Sequence, residues 1–196
     1  MLTFALAVFF LLITPGPGVL TTAGVGAGFG RTAGLRFVAG LFVGTNLVAL
    51  AVISGLAAVV FSVPEVRAVL VWASAAFFVY LAAKIALSGA KVAFMETAAA
   101  PGFMGGLLLQ FINPKAYAVN NLLFSGYAFW PESLTVEVAL KLLIVNAIWI
   151  PVHLIWLTAG VTLKRLNLAP GAQRAINVGM ALSLLAVVAL AAFSQA

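Results

Sequence analysis

Apolar residues run through this chain in long blocks that do not alternate with polar ones. A helix crosses a bilayer on about 20 apolar residues, whereas a barrel strand needs about 10 in alternation. The pattern therefore predicts an all-α integral membrane protein. Six blocks can be drawn, at about 1–27, 35–62, 67–88, 103–129, 136–163 and 174–194. The second and fifth are longer than a perpendicular span requires, which predicts tilt or extension beyond the bilayer. The gaps are short. The longest, "GAKVAFMETAAAPGF", reads as the join between two halves, about 1–90 and 101–196, of a single domain.

Six spans divide into three and three. An odd number per half makes the second half start from the opposite side, so a repeat would be inverted. Two blocks are interrupted in matching places. The first contains "LLITPGPGVL" and the fourth contains "LLQFINPKAY". Proline lacks an N–H and clashes with the carbonyl four residues back, and glycine relaxes the backbone further. The freed backbone groups cannot stay bare in hydrocarbon and must meet a neighbouring helix, water or a polar substrate. Discontinuous helices in corresponding halves are the usual mark of a transporter binding site. Aligning Pro15 with Pro114 sets Thr14 opposite Asn113. The second half-helix begins with positive partial charge, suited to a carboxylate.

Composition agrees with the pattern. The chain is 65% hydrophobic and only 7% charged, where soluble domains hold about 25% charged residues. Mean hydropathy is +1.23. Ten basic and four acidic residues stand singly between apolar runs. They form no basic patch with aromatics, which argues against nucleic acid, and they read as topology signals. Arg31 and Arg36 fall in the first gap, Lys84 and Lys91 in the third, and Lys164, Arg165 and Arg174 in the fifth. The second gap has Arg67 beside Glu65, and the fourth has Glu132 and Glu137 with Lys141 a turn further on. The positive-inside rule then sets the odd gaps in the cytoplasm and both termini outside. The N-terminal block has no Lys or Arg before it and no clear cleavage site, so it reads as a retained first helix.

With no cysteine, no Asp and one His, the chain offers no thiolate metal site, no paired carboxylates and no nucleophile–base constellation. The expectation is a non-enzyme without cofactor or metal. Lys115, inside the second break, has three roles open to it: pairing with a substrate carboxylate, bonding to freed carbonyls, or snorkelling to an interface. Asn46, Asn120 and Asn121 are amides in apolar helices, for substrate or for bonds between helices. Asn146 and His153 lie seven residues apart, hence on one helical face, and Pro151 between them predicts a kink. His153 is a candidate proton relay or an interhelical hydrogen-bonding group. The four tryptophans read as packing or interface anchors. Gly40 and Gly44 form a small-residue face for close packing, within the fold or across a homodimer.

These residues together resemble the LysE/RhtB family of amino-acid exporters. The motifs that carry the likeness are "TPGPGVL", "GAGFGRTAGLRFVAGLFVGT", "FFVYLAAKIALSG" and "GLLLQFINPKAYA", in order along nearly the whole chain. Pro15, Gly16, Pro17, Asn113, Pro114 and Lys115 match motif positions. The resemblance implies secondary-active export of amino acids or derivatives across the bacterial inner membrane, driven by protons. Gly18 departs from the Asn common after the second proline. Members that export basic amino acids carry membrane-embedded acids where this chain reads "GTNLV" and "NPKAYAVNNLL". All four Glu lie in or near gaps, so a cationic side chain finds no buried anion, and a neutral or small polar substrate is expected. Its carboxylate and ammonium would be held by Pro15, Gly16, Pro17, Gly18, Asn46, Asn113, Pro114, Lys115 and Asn120. Two other readings are an ion or metal exporter of the same superfamily and a non-transport subunit of a membrane complex.

Overall fold

A computed structural model describes residues 1–57 and 100–166, with isolated positions at 62–83 and 169–185. It is helical, with no strand among the described residues. The elements are α1 (Leu2–Ile13), α2 (Pro17–Ile53), α3 (Phe103–Ile112), α4 (Pro114–Gly126) and α5 (Leu134–Arg165). By length and composition α2 and Leu134–Leu163 of α5 can each cross a membrane, and α1 and α3 are shorter apolar helices. The expected third and sixth spans, the join and "FFVYLAAKIALSG" fall largely outside the described residues, as do Arg67, Lys84 and Lys91.

Both expected interruptions are present. The first block is split into α1 and α2 around Thr14–Gly16, and the fourth into α3 and α4 at Asn113. The register of the two breaks differs from the sequence alignment. Pro17, not Pro15, begins the second half-helix, with Gly16 as its N-cap, and Pro114 begins α4 with Asn113 as its N-cap. Proline suits the first helical position, where its fixed φ is helical and its missing N–H would have no partner. Pro17 therefore matches Pro114, and Gly16 matches Asn113.

The first gap contains almost no loop. Helix α2 turns at Gly30 (φ 82°, ψ −176°), a conformation that glycine alone adopts readily. Its two limbs, 17–29 and 31–53, both pack on α5. Gly18 lies near His153 and Gly26 near Leu157 and Val161, so the first limb is parallel to α5. Gly34 meets Leu157 and Asn46 bonds Asn146, so the second limb is antiparallel to it. The second limb ends at Ile53, with Gly55 at φ 76°, short of the expected 62. Helix α5 continues through Pro151, where a kink was expected, without a break.

Close helix contacts hold this arrangement. A Cβ on Gly40 would overlap the carbonyl of Phe103, one on Gly106 the carbonyl of Phe37, and one on Gly160 the carbonyl of Ala23. The Gly40–Gly44 face is thus used against α3 inside the chain. Gly40→Ala and Gly160→Ala are expected to lower stability by about 1–3 kcal/mol, the usual range for overpacking a filled interface. Gly171→Ala, where a Cβ would meet nothing within 4 Å among the described residues, should leave thermal unfolding in detergent unchanged.

The core is apolar, with Phe37, Leu41 and Trp149 buried, but the surface and the buried polar set depart from those of a soluble domain. Leu2, Phe10, Leu50, Leu143, Ile155 and other large apolar side chains face outward, while Thr22, Thr45, Gln110, Asn113, Asn120, Glu137, Lys141 and His153 are buried. Lipid accepts the first set, and only the interior can partner the second. Phe4 on α1 packs on Tyr127 and Phe129 beyond the end of α4, at ring centroid distances of 5.9 and 5.5 Å. Thr14 reaches Lys115 at the other end. The broken helices α1 and α4 therefore run antiparallel, and their breaks meet.

Candidate functional site

The site forms where the two interruptions touch. Lys115, the second residue of α4, donates from Nζ to the carbonyl of Thr14, the C-cap of α1, at 2.8 Å. A cation at a helix C-terminus also meets the negative end of the helix dipole. The ammonium has three donors and uses one among the described residues. Gly16 makes room for this side chain, since a Cβ there would lie 2.9 Å from Lys115 Cδ. Of the three roles open to Lys115 from the sequence, the structure adopts the bond to a freed carbonyl.

The two helix starts differ electrostatically. At α4 the Asn113 side chain accepts from Lys115 N–H at 3.1 Å, and its own carbonyl accepts from Ala116 N–H. Those amides are satisfied. At α2 the N-cap is Gly16, which has no side chain to offer, and the first backbone bond of the helix start is Leu20 N–H to Gly16 O. The amides of Gly18 and Val19 have no partner among the described residues. A helix start with free N–H groups next to an ammonium is an anion-binding arrangement.

Beneath the break lies a cavity of about 60 Å3. Gly16, Gly18, Asn113, Lys115, Asn120 and His153 line it, with Thr45 and Gln110, and Leu11, Val119, Leu123 and Val145 give it apolar walls. Asn113 is held by a buried chain: its Nδ2 donates to Gln110 Oε1 at 3.2 Å, and Gln110 Nε2 donates to Thr45 Oγ1 at 2.6 Å. Gln110 and Thr45 did not stand out in the sequence. The available signal was a glutamine three residues before Asn113 in an otherwise apolar half-helix, a spacing that sets both on one face.

His153 is 4% exposed. Its Nδ1 lies 2.9 Å from the carbonyl of Trp149, and its ring stacks on the Trp149 indole at 3.6 Å. A carbonyl only accepts, so Nδ1 carries the hydrogen and the neutral ring leaves Nε2 as an acceptor. Nε2 is the atom nearest to where a Gly18 side chain would begin, at 3.7 Å.

Several expected site residues lie elsewhere. Asn46 is absent from the cavity wall: its amide and that of Asn146 bond reciprocally at 3.1 and 2.9 Å, joining α2 to α5. Asn146 therefore faces Asn46, while His153, seven residues on, faces the cavity. Pro15, Pro17 and Pro114 shape the breaks without lining the cavity. Asn121 points outward, unlike its neighbour Asn120. The expectation that the chain holds no buried anion is corrected by Glu137. It is buried and pairs with the buried Lys141 at 2.8 Å, and it accepts from the amides of Phe129 and Trp130. Lys141 also bonds the Phe124 carbonyl at 3.2 Å. This anion is fully committed, and Glu137 and Lys141 are not among the cavity-lining residues.

A family model described as LysE type translocator matches residues 9–195 of the chain. No curated protein and no solved structure matches it.

Proposed function

The chain belongs to the LysE type translocator family, and from that premise we propose that it exports neutral or small polar amino acids, or their derivatives, across the bacterial inner membrane. Family membership makes it a membrane translocator. The observation that carries the finer reading is the meeting of the two breaks, where Lys115 and the free Gly18 and Val19 amides surround one cavity. A carboxylate matches that donor set, and both unused ammonium donors can serve it.

Six spans arranged as two inverted halves suit the antiparallel course of the two broken helices. The charge distribution favours the same arrangement. The Gly30 turn carries Arg31 and Arg36 at the end where α5 finishes with Lys164 and Arg165, and the opposite end carries Glu132, Glu137 and Trp130. With the basic end cytoplasmic, the N-terminus lies outside. Ligand pockets usually measure about 300 Å3 or more, and this cavity measures about 60 Å3. The walls must part to admit a whole amino acid, as rocking halves would allow. The cavity-lining residues described include no acid for a cationic side chain, and Glu137, away from the cavity, is committed to Lys141. Proton coupling, if it passes through a side chain here, has its candidate in His153.

The test is efflux of labelled amino acids from cells that express the protein against cells that do not. Neutral amino acids should appear outside faster with the protein, and lysine and arginine should not. Export of lysine or arginine alone would contradict the reading.

A further inference from the structure

We propose that His153 Nε2, with Asn120 Oδ1, is the acceptor subsite for the substrate's ammonium group, and that Gly18 keeps this subsite open. The inference rests on the cavity being the amino-acid site and names the half of that site which family membership leaves unassigned.

An ammonium at membrane depth needs acceptors, and the described residues place no carboxylate on the cavity wall. Two neutral acceptors are present instead. The Trp149 carbonyl fixes the hydrogen on His153 Nδ1, which exposes the lone pair of Nε2, and Nε2 has no partner among the described residues. Asn120, 4% exposed, donates one Nδ2 hydrogen to the Ala116 carbonyl at 2.8 Å, which fixes the orientation of its amide. Its Oδ1 likewise has no partner among the described residues. The imidazole cannot swing freely: it lies flat on Trp149, which is itself 2% exposed and held edge-on by Phe42. A rigid acceptor binds without losing side-chain freedom.

The spacing suits an α-amino acid. Its carboxylate and ammonium stand on one carbon, so donors and acceptors must be neighbours. Along the break, Gly16 abuts the Lys115 ammonium and Gly18 abuts His153 Nε2. A residue larger than glycine at position 18 would occupy the space between backbone and imidazole. An asparagine there would place its own amide within reach of Nε2 and take the acceptor from the substrate.

The test uses the purified full chain in detergent with ring-15N-histidine. His153 is the only histidine, so its nitrogen signals are unique. Alanine, serine, threonine, valine and leucine are titrated, each beside the carboxylic acid that lacks only the amine. The apo spectrum should show the Nδ1–H tautomer. Amino acids that bind should move the Nε2 signal, and their amine-free partners should bind about ten-fold or more weakly and leave it in place. Gly18→Asn should weaken the amino acids by a similar factor while sparing the amine-free acids. Amino-acid binding with an unmoved Nε2 signal, or equal binding of the amine-free acids, overturns the proposal and leaves the cavity reading intact. Absence of binding by every compound overturns both.

Discussion

Lys115→Ala is expected to weaken amino-acid binding by about 10- to 150-fold, because a hydrogen bond to a charged partner contributes roughly 1.5–3 kcal/mol. The side chain crosses from one broken helix to the other and ends on the Thr14 carbonyl. Two of its donors have no partner among the described residues, and no other ammonium among those residues lines the cavity. Removing it leaves the Gly18 and Val19 amides as the anion-binding groups at the α2 start among the described residues. It also leaves the Thr14 carbonyl without its cation. Lys115→Arg is the informative companion, since it keeps charge but brings a planar, bulkier head against Gly16. Part of the affinity should return. Initial efflux rates against internal amino-acid concentration, at matched protein levels, measure both. An unchanged half-saturation concentration in Lys115→Ala would remove the ammonium from the site.

The second large effect concerns stability. Lys141→Met is expected to lower the unfolding temperature, because it removes the cationic partner that the Glu137 carboxylate meets at 2.8 Å. Glu137 sits in the first turn of α5 and collects three interactions: Lys141, and the amides of Phe129 and Trp130. Lys141 in turn rests between the rings of Phe4 and Phe129, 5.8 Å from each centroid, and bonds the Phe124 carbonyl. The pair thereby ties α1, the end of α4 and the start of α5 at one end of the molecule. The double substitution Glu137→Gln with Lys141→Met removes both charges and should recover most of the loss, since Gln keeps an oxygen for one backbone amide. Thermal unfolding of the two variants in detergent reads this directly. A single variant as stable as the parent would show that the pair is solvated.

The sequence disclosed what is local. A proline inside an apolar run breaks a helix whatever surrounds it, so both interruptions, and with them the place of the cavity, could be read directly. Which proline of "PGPG" restarts the helix could not, because either can take the first helical position. Packing chose Pro17 and shifted the match between the halves by two residues. Asn46 shows the limit of composition. An amide in an apolar helix needs a partner, but that its partner is Asn146, a hundred residues away, is a tertiary fact. Glu137 misled for the opposite reason: it lies a few residues into a helix start, where spacing suggests solvent, and the fold closes over it. Gln110 and Thr45 were hidden because each looks unremarkable until the other stands 2.6 Å away.

The central claim is that the meeting point of the two breaks binds a carboxylate through Lys115. The most direct measurement compares each amino acid with its own carboxamide, in the wild-type protein and in Lys115→Ala. The two ligands share size, side chain and ammonium and differ only in the anion. The account predicts that the wild type prefers the acid by ten-fold or more, on the order of one charged hydrogen bond, and that the preference largely disappears in Lys115→Ala. Equal binding of acid and carboxamide by the wild type, or a preference that survives the loss of Lys115, would contradict it.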